Sequence, residues 1–422
     1  MPEATHPDQP KLKPKPKRRR TGTRQDWSRR TEAASLKLPA ALLAEARANS
    51  KALEDASLLA VLAREVALTR GTEITLAYRN VILVTSGFKK SQRRGAHRLT
   101  NEPCVVFVVR RKWSAEKTVA EHPQHLPRWL VAYAEHGGER KPFALATDVQ
   151  HESAFFGARA HGAGGIWLEP QGAQRANGAI AFAVEVRDAA GSERCLLSAQ
   201  HVFSPEPDVD ALRVAGGLEV RPLDGGGSPL NAPVIALTRP WGGVLRGEED
   251  PELPSFDVQL ARLEDTAAAS RIVGAPRLSA TEPVVASYQR LVQLGAAQRL
   301  KLVVPRNRSD GAARAPLKAR VDCLLERAFA LFYDVRRGAT RTEAWLYHEG
   351  LVKLEVEGPL VPLAGDSGSA VVIPNGDGSA TLIGLYIGGK GAAAYIIPAW
   401  ELLDTRNYWS CPSGAHLLPI SL

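Results

Sequence analysis

The amino-acid sequence predicts a mainly β fold for the larger, C-terminal part of the chain. Beyond residue 166, about ten or more short apolar or β-branched runs are separated by Gly and Pro. Examples are Ile180–Val186, Leu351–Val356 and Leu382–Ile387. Strands this short, spread over about 240 residues, favour a pair of β-barrels or a large sandwich over a parallel α/β sheet.

A helical segment is predicted to precede the β region, over residues 31–70. Leucines recur there at helical spacing among many alanines. Pro39 is expected to open a second helix, because proline is well tolerated at the first helical position. Gly71 is expected to end that helix.

Between the helical segment and the β region we predict a small α/β module over residues 71–156. Strand-like runs occupy 74–84 and 105–109, and a helix is expected around 126–134. A glycine-rich stretch over 157–165 then breaks the pattern and is interpreted as a linker.

The net charge of +9, from 54 Lys and Arg against 45 Asp and Glu, is concentrated at the N-terminus. Residues 1–30 contain ten basic and three acidic residues, with alternating Pro and Lys over 11–17. This composition favours a disordered basic tail, which either binds a polyanion weakly or serves as a solubilising leader. The remaining chain is close to neutral, which argues against a nucleic-acid enzyme with a basic groove.

The compartment is predicted from what the sequence does not contain. There is no run of about 18 apolar residues that would cross a membrane, and no apolar core of a secretory signal follows the basic N-terminus. The four cysteines, Cys104, Cys195, Cys323 and Cys411, are far apart and suggest neither a zinc site nor a disulfide framework. We therefore expect reduced thiols and a cytoplasmic protein.

Three short segments of the β region carry side chains that suit nucleophilic catalysis. An apolar strand ends in the lone His201, Asp257 opens an alternating strand, and Ser367 lies in a tight turn between Gly365 and Gly368. A serine hydroxyl needs a base that removes its proton, and a histidine can take that proton and return it. An aspartate can hold the imidazole in the required tautomer and stabilise the imidazolium. The order His, Asp, Ser along the chain is that of the chymotrypsin fold.

These segments resemble those of the chymotrypsin/trypsin-like serine peptidases, more closely their bacterial branch. The family's Thr-Ala-Ala-His segment is similar to Ser198–His201, and its Asp-Ile-Ala-Leu segment is similar to Asp257–Leu260. Its Gly-Asp-Ser-Gly-Gly-Pro turn is similar to Gly365–Ala370. The resemblance covers residues 166–405 and implies a two-barrel, chymotrypsin-like peptidase domain over 166–422.

By this resemblance, His201, Asp257 and Ser367 form a catalytic triad, and the backbone N–H groups of Gly365 and Ser367 form the oxyanion hole. Asp366 is expected to face the interior and to hold the turn in shape. The implied function is that of a serine endopeptidase, which cleaves peptide bonds through an acyl-enzyme intermediate. The alternative is a catalytically silent binding module on a peptidase fold, with a polyanion-binding tail.

One position beside the triad departs from the family's pattern. The family often places a polar residue on the strand after the nucleophile, whereas a gapless alignment places Ile387 there. Either Asp257 lacks one supporting hydrogen bond, or the register is shifted by one residue.

The candidate substrate pocket consists of Val361, Gly388 and Gly389. Val361 stands six residues before the nucleophile, where trypsin-type enzymes carry an aspartate. Its neighbours are apolar as well, so we expect a small or aliphatic P1 side chain in the substrate rather than Lys or Arg.

The expected partner is a protein or peptide substrate. The helical segment 31–70 either docks on a regulatory partner or packs onto the chain's own α/β module. Glu121, His122 and His125 do not have the spacing of a metal site, and no metal or other cofactor is predicted.

Overall fold

The computed structural model of the protein describes most of the chain from Leu38 onward. The basic tail 1–30, the residues Glu121, His122 and His125, and all of the predicted linker except positions 158 and 160 lie outside the described residues. The described residues are 38–78, 80–93, 96–111, 126–155, 158, 160, 179–204, 207–211, 213–221, 234–247, 253–265, 276–294, 300–303, 315–363 and 365–421.

Two helices begin the described chain. Helix α1 (Ala40–Ala52) starts directly after Pro39, as predicted, and α2 (Ser57–Ala77) follows it. Both pack onto the chain's own strands: the Asn49 side-chain amide of α1, for example, donates to the Pro142 carbonyl at 2.9 Å. This arrangement corresponds to the packing alternative for the helical segment.

The prediction that Gly71 ends the helix is wrong. Helix α2 continues through Gly71 to Ala77. The reason is that Ala67, Gly71 and Ile74 are all buried and continue the three-to-four-residue spacing of the helix's apolar face.

Four strands follow the helices: β1 (Val81–Arg93), β2 (Ala96–Val109), β3 (Trp129–His136) and β4 (Glu139–His151). β1 and β2 are antiparallel, β2 and β4 are parallel, and β3 and β4 form an antiparallel hairpin.

The helix expected around 126–134 is wrong, because most of that segment belongs to strand β3. Gly137 and Gly138 connect β3 to β4 with φ angles of 64° and 80°. Two consecutive residues with positive φ make the turn that matches the twist of a two-residue β-hairpin. This Gly-Gly pair is the signal in the sequence that favours two paired strands.

Six strands of the C-terminal part close into an antiparallel barrel. Each pairs with two neighbours in the order β10-β15-β16-β17-β14-β11, and β11 pairs back to β10. Closure satisfies the backbone groups that an edge strand would leave unpaired. The strands are β10 (Leu300–Leu302), β11 (Leu317–Leu325), β14 (Leu351–Val356), β15 (Ala370–Pro374), β16 (Ala380–Lys390) and β17 (Ala393–Pro398).

The N-terminal strands are joined to this barrel through β1. Ser86 and Gly87 of β1 pair with Leu324 and Cys323 of β11, so that β1 to β4 and the barrel form one ten-stranded sheet. A Cβ atom at Gly87 would lie 2.4 Å from the carbonyl oxygen of Asp322. The close approach of the two strands therefore requires a glycine at this position.

A second antiparallel sheet has six strands in the order β18-β5-β6-β9-β8-β7. With the closed barrel, it confirms the mainly β fold class. Its strands are β5 (Phe182–Asp188), β6 (Gly191–Ser198), β7 (Glu219–Val220), β8 (Ala236–Gly242), β9 (Gln259–Leu263) and β18 (His416–Ile420).

A separate two-stranded hairpin, β12 (Phe329–Arg337) and β13 (Thr340–His348), links β11 to β14. The other described elements are three short α-helices, α3 (Gln200–Phe203), α4 (Tyr288–Gln293) and α5 (Ala399–Leu402), and two 3-10 helices, Glu152–Ala154 and Thr405–Asn407. Within the described ranges, no helix has the length and apolar character needed to cross a membrane.

Candidate active site

His201 lies in the one-turn helix α3, directly after strand β6. Cys195, Leu196 and Leu197 at the end of β6 are completely buried. Because the strand ends inside the core, it delivers His201 to the interior, where 3% of the residue's surface is exposed.

Asp257 holds His201 through two contacts. One carboxylate oxygen, Oδ2, lies 2.5 Å from Nδ1 of His201, and the other, Oδ1, accepts the backbone N–H of His201 at 3.2 Å. Asp257 is completely buried. Burial alone would raise its pKa, but the charge interaction and hydrogen bond with His201 lower the pKa below its ordinary value. The carboxylate therefore stays ionised and fixes the proton of the imidazole on Nδ1.

The other ring nitrogen of His201, Nε2, is buried and makes no hydrogen bond to any residue that the structure describes. With the proton held on Nδ1 by Asp257, the lone pair of Nε2 is the basic position of the ring. A histidine arranged in this way can take a proton from a neighbouring hydroxyl.

Two further residues belong to the cluster, and no local motif in the sequence indicates either of them. Tyr333 of β12 donates its hydroxyl to Oδ2 of Asp257 at 2.9 Å, and its ring meets His201 edge-on with 5.5 Å between ring centroids. His348 of β13 stacks with Tyr333, with 5.5 Å between the ring centroids. Burial lowers the pKa of His348 to about 4, so this histidine is neutral at pH 7.

Ser367 lies in a tight turn before strand β15, with glycines on both sides. Gly365 has a φ of 93° and Gly368 a φ of 88°, a region that residues with a Cβ rarely adopt. A Cβ at Gly368 would also lie 2.0 Å from the carbonyl oxygen of Ala179. Asp366 is buried and accepts the N–H of Leu363 at 2.7 Å, in agreement with its expected interior position.

Two hydrogen bonds of the Ala179 backbone connect the serine turn to the segment that carries His201. The Ala179 N–H donates to the Ser367 carbonyl at 2.9 Å, and the Ala179 carbonyl accepts the Ser198 hydroxyl at 2.6 Å. Ser198 precedes His201 by three residues at the end of β6. The turn from the barrel and the histidine from the second sheet are thus brought together.

The Ser367 hydroxyl donates to the carbonyl of Ile387 at 3.3 Å, and the residue is completely buried. The hydrogen bond of a catalytic Ser–His pair is not formed, since Nε2 of His201 has no partner among the described residues. Ile387 lies at an irregularity in the pairing of β16 with β17. The strand register is therefore disturbed at this position.

The three predicted pocket residues lie on two segments. Val361 is half-buried in the irregular stretch before the serine turn, between Leu360 and Leu363, which are exposed by 55% and 44%. Gly388 and Gly389 lie in β16, directly after Ile387.

Two cavities are lined by other parts of the chain. One of about 240 Å³ lies beside Lys90, Lys353 and Tyr395. The other, of about 480 Å³, has Arg246, Phe256 and Trp409 among its lining residues. None of the predicted pocket residues lines either cavity.

The cysteines do not offer an alternative nucleophile. All four are free thiols, and Cys104, Cys195 and Cys323 are buried. Burial raises the pKa of each of these three thiols, and it raises the pKa of Cys411 to about 11. A thiol must ionise to react, so all four are poorly suited to attack at neutral pH. Within the described part of the chain, no three His, Cys, Asp or Glu residues are grouped to hold a metal ion.

Comparisons with known proteins give structural similarities at low identity. No protein-family model matches the sequence, and no curated protein matches it. The NS6 protease from murine norovirus 1 is 13% identical with a TM-score of 0.25, over 51% of this chain and 88% of that protease. A chimeric, inactive mutant of the same protease is 13% identical with a TM-score of 0.24, over 53% of this chain and 90% of its own. Because the sequence identities and TM-scores are this low, any functional inference depends on the geometry of the site itself.

Proposed function

We propose that the protein is a serine endopeptidase with Ser367 as nucleophile, His201 as general base and Asp257 as the residue that orients His201. The observation that carries this proposal is the His201–Asp257 pair. Both side chains are buried, Nδ1 of His201 is bound to Asp257, and Nε2 is left as the basic nitrogen. The serine turn, attached to the same histidine-bearing segment through Ala179, supplies the second part of the argument.

In the proposed reaction, Nε2 of His201 takes the proton of the Ser367 hydroxyl while Oγ forms a bond to the carbonyl carbon of the substrate. The resulting oxyanion accepts hydrogen bonds from the backbone N–H groups of Gly365 and Ser367. His201 then gives its proton to the leaving amine, the C–N bond breaks, and an acyl-enzyme remains. Water, deprotonated by the same histidine, hydrolyses the ester and restores the serine.

This chemistry requires Ser367 Oγ to exchange its present partner, the Ile387 carbonyl, for Nε2 of His201. Catalytic hydrogen bonds are often long or misaligned without substrate and tighten in the enzyme–substrate complex. The complete burial of Ser367 adds a second requirement, namely that a substrate must open access to the serine turn.

The proposed P1 preference for small or aliphatic side chains rests on the apolar stretch before the turn. Leu360, Val361 and Leu363 supply no carboxylate that would bind Lys or Arg, and Leu360 and Leu363 expose enough surface to contact a substrate. Gly388 and Gly389 of β16 form the proposed opposite wall of the pocket.

The decisive experiment compares Ser367→Ala with Ser369→Ala in the full chain. Ser369 lies in the same turn and its buried hydroxyl has no hydrogen-bond partner among the described residues, so its removal controls for the loss of a buried hydroxyl. We expect Ser367→Ala to lower kcat for a small ester on the order of 10⁶-fold, as the loss of the nucleophile does in a comparable triad. Ser369→Ala should retain most of the activity.

A fluorophosphonate probe that phosphonylates reactive serines gives a second readout. It should label the wild-type chain and Ser369→Ala but not Ser367→Ala. Undiminished ester hydrolysis by Ser367→Ala would refute the proposal. A folded wild-type chain that is neither labelled nor active would favour the alternative, a binding module on a peptidase fold.

A further inference from the structure

The Asp257 carboxylate receives a hydrogen bond from a residue outside the predicted triad, the Tyr333 hydroxyl at 2.9 Å. We infer that Tyr333 is a positioning residue that fixes Asp257, and through it His201, for catalysis. This inference rests on the proposed function, because its consequence for turnover requires an active triad.

The position of Tyr333 is set by strand alternation and by two rings. In β12 the buried residues Leu331, Tyr333 and Val335 alternate with more exposed ones, so Tyr333 points into the core. Its ring contacts His201 edge-on and stacks with His348 at an interplanar angle of 28°. These two ring contacts restrict the Tyr333 ring, and its hydroxyl reaches Asp257.

A completely buried carboxylate needs such a donor. An ionised group removed from water is costly unless hydrogen bonds satisfy its oxygens. In Asp257, Oδ1 accepts the backbone N–H of His201 and Oδ2 accepts from the ring of His201 and from Tyr333. Tyr333 therefore supplies the hydrogen bond that the apolar Ile387 cannot provide from its side chain.

Ionisable groups from three different elements face Asp257. They are His201 from α3, Tyr333 from β12 and His348 from β13. Burial and the negative charge of Asp257 raise the pKa of Tyr333 far above its ordinary value, so its hydroxyl remains a donor. His348 is neutral, because burial lowers its pKa to about 4. His201 is then the group of this cluster that changes protonation during turnover.

The loss of the Tyr333 hydroxyl should act on both the orientation and the basicity of His201. Without this donor, Oδ2 carries more negative charge and binds the imidazolium form of His201 more strongly, which raises the pKa of His201. At the same time the carboxylate gains freedom to rotate, so fewer enzyme molecules hold Nε2 in line with the serine. A purely structural role of Tyr333 would change neither the pKa nor the pH profile.

The experiment uses Tyr333→Phe, with Tyr408→Phe as the matched control. Tyr408 is also buried, and its hydroxyl donates to the Leu402 carbonyl at 2.6 Å, so the control removes a comparable hydrogen bond. For a small ester, Tyr333→Phe should lower kcat about tenfold with KM unchanged, since a hydrogen bond to a charged group is lost. The acid limb of the kcat/KM profile should move up by about half a pH unit. Tyr408→Phe should change neither quantity.

Two further measurements keep the test informative if Tyr333→Phe folds poorly or activity is low. Incorporation of 3-fluorotyrosine at position 333 retains the ring and gives a more acidic hydroxyl, which should move the acid limb downward. An NMR titration of His201, assigned with His201→Gln, reports the same pKa shift without any turnover.

The outcomes separate the inference from the proposed function. If Ser367→Ala abolishes hydrolysis while Tyr333→Phe leaves kcat, the pH profile and the His201 titration unchanged, the inference is wrong and the proposed function stands. If the His201 titration shifts in Tyr333→Phe but no form of the protein hydrolyses an ester, the contact role of Tyr333 holds and the proposed function fails.

Discussion

Among the residues that the structure describes, two aspartates have no exposed surface, and they differ in the groups that each carboxylate faces. Asp257 faces His201, whereas Asp322 of β11 faces Lys353 of β14 and Lys90 of β1. In both cases burial opposes ionisation and the neighbouring groups outweigh it, so that each carboxyl has a lowered pKa. The two sites use the same residue type at the same depth for different purposes.

At Asp322 the charges are compensated by groups that remain charged. Lys353 pairs directly with Asp322, Lys90 lies 3.0 Å from it, and the Gln150 amide donates to its other oxygen at 3.1 Å. Lys90 also pairs with Glu355 at 2.7 Å. Because lysine ammonium groups do not titrate near neutral pH, this cluster can join β1, β11 and β14 but cannot exchange protons.

At Asp257 the partner is an imidazole, the type of side chain that can take up a proton and return it during a reaction. Its far nitrogen has no hydrogen-bond partner among the described residues. Burial and a lowered pKa therefore do not distinguish the carboxylate of the proposed triad from a structural one. The distinguishing feature is whether the partner can titrate and still has an available lone pair.

Among the variants that test this difference, Asp257→Asn should cause the largest loss of activity. An asparagine amide can donate to Nδ1 of His201, which would place the ring proton on Nε2 and remove the base. We expect kcat for a small ester to fall about 10⁴-fold at neutral pH, the magnitude known for the loss of this group in a triad. Steady-state kinetics on folded protein, verified by circular dichroism, measure the loss.

The counterpart in the other cluster, Asp322→Asn, serves as the comparison. It should lower stability but leave kcat per folded molecule within a small factor of wild type. Equal losses of kcat in both variants would show that the distinction between the two aspartates is wrong.

The second prediction concerns stability and uses Lys353→Met. This change leaves Asp322 with one lysine in a completely buried site, and breaking a buried ion pair by removing one partner costs about 3–5 kcal/mol. The free energy of unfolding from urea titration should therefore fall by about this amount. A matched change at the surface, Arg406→Met, breaks an ion pair with Asp404 in which the arginine side chain is 87% exposed. Its unfolding curve should be almost unchanged, and a similar drop in both variants would contradict the prediction.

The three residues of the proposed triad could be selected from the sequence because each occurs in a short local motif. His201, Asp257 and Ser367 each follow or open a strand, and tight glycine turns are visible without a structure. Tyr333 and His348 were missed because a tyrosine or a histidine in an alternating strand has the pattern of an ordinary core residue. Tyr333 lies 76 residues from Asp257 in sequence, and no local pattern indicates that contact.

In the N-terminal region, the pairing of strands likewise could not be predicted from local sequence patterns. The strand character of 105–109 is evident from its β-branched residues, but the pairing of β1 with β11 joins residues more than 230 positions apart. The segment around 126–134 is predicted from the sequence to be helical. Its pairing with β4 and the Gly137–Gly138 turn decide for a strand.

The smallest effect expected from the comparison is a pH dependence of stability that belongs to Asp322. Burial opposes ionisation, but Lys353 and Lys90 lower the pKa of Asp322 to about 2 in the folded protein, against about 3.9 for an unperturbed aspartate. Its ionisation therefore stabilises the fold fully above pH 4, and this contribution is lost as the pH falls from about 4 towards 2. Urea unfolding at a series of pH values should show this slope in the wild type and a shallower one in Asp322→Asn.

Glu326 provides an internal control of opposite sign. Burial raises its pKa to about 7, so its contribution to the free energy of unfolding declines as the pH rises towards 7. An unchanged acid slope in Asp322→Asn, with the slope near pH 6 intact, would show that the lysines do not hold Asp322 ionised.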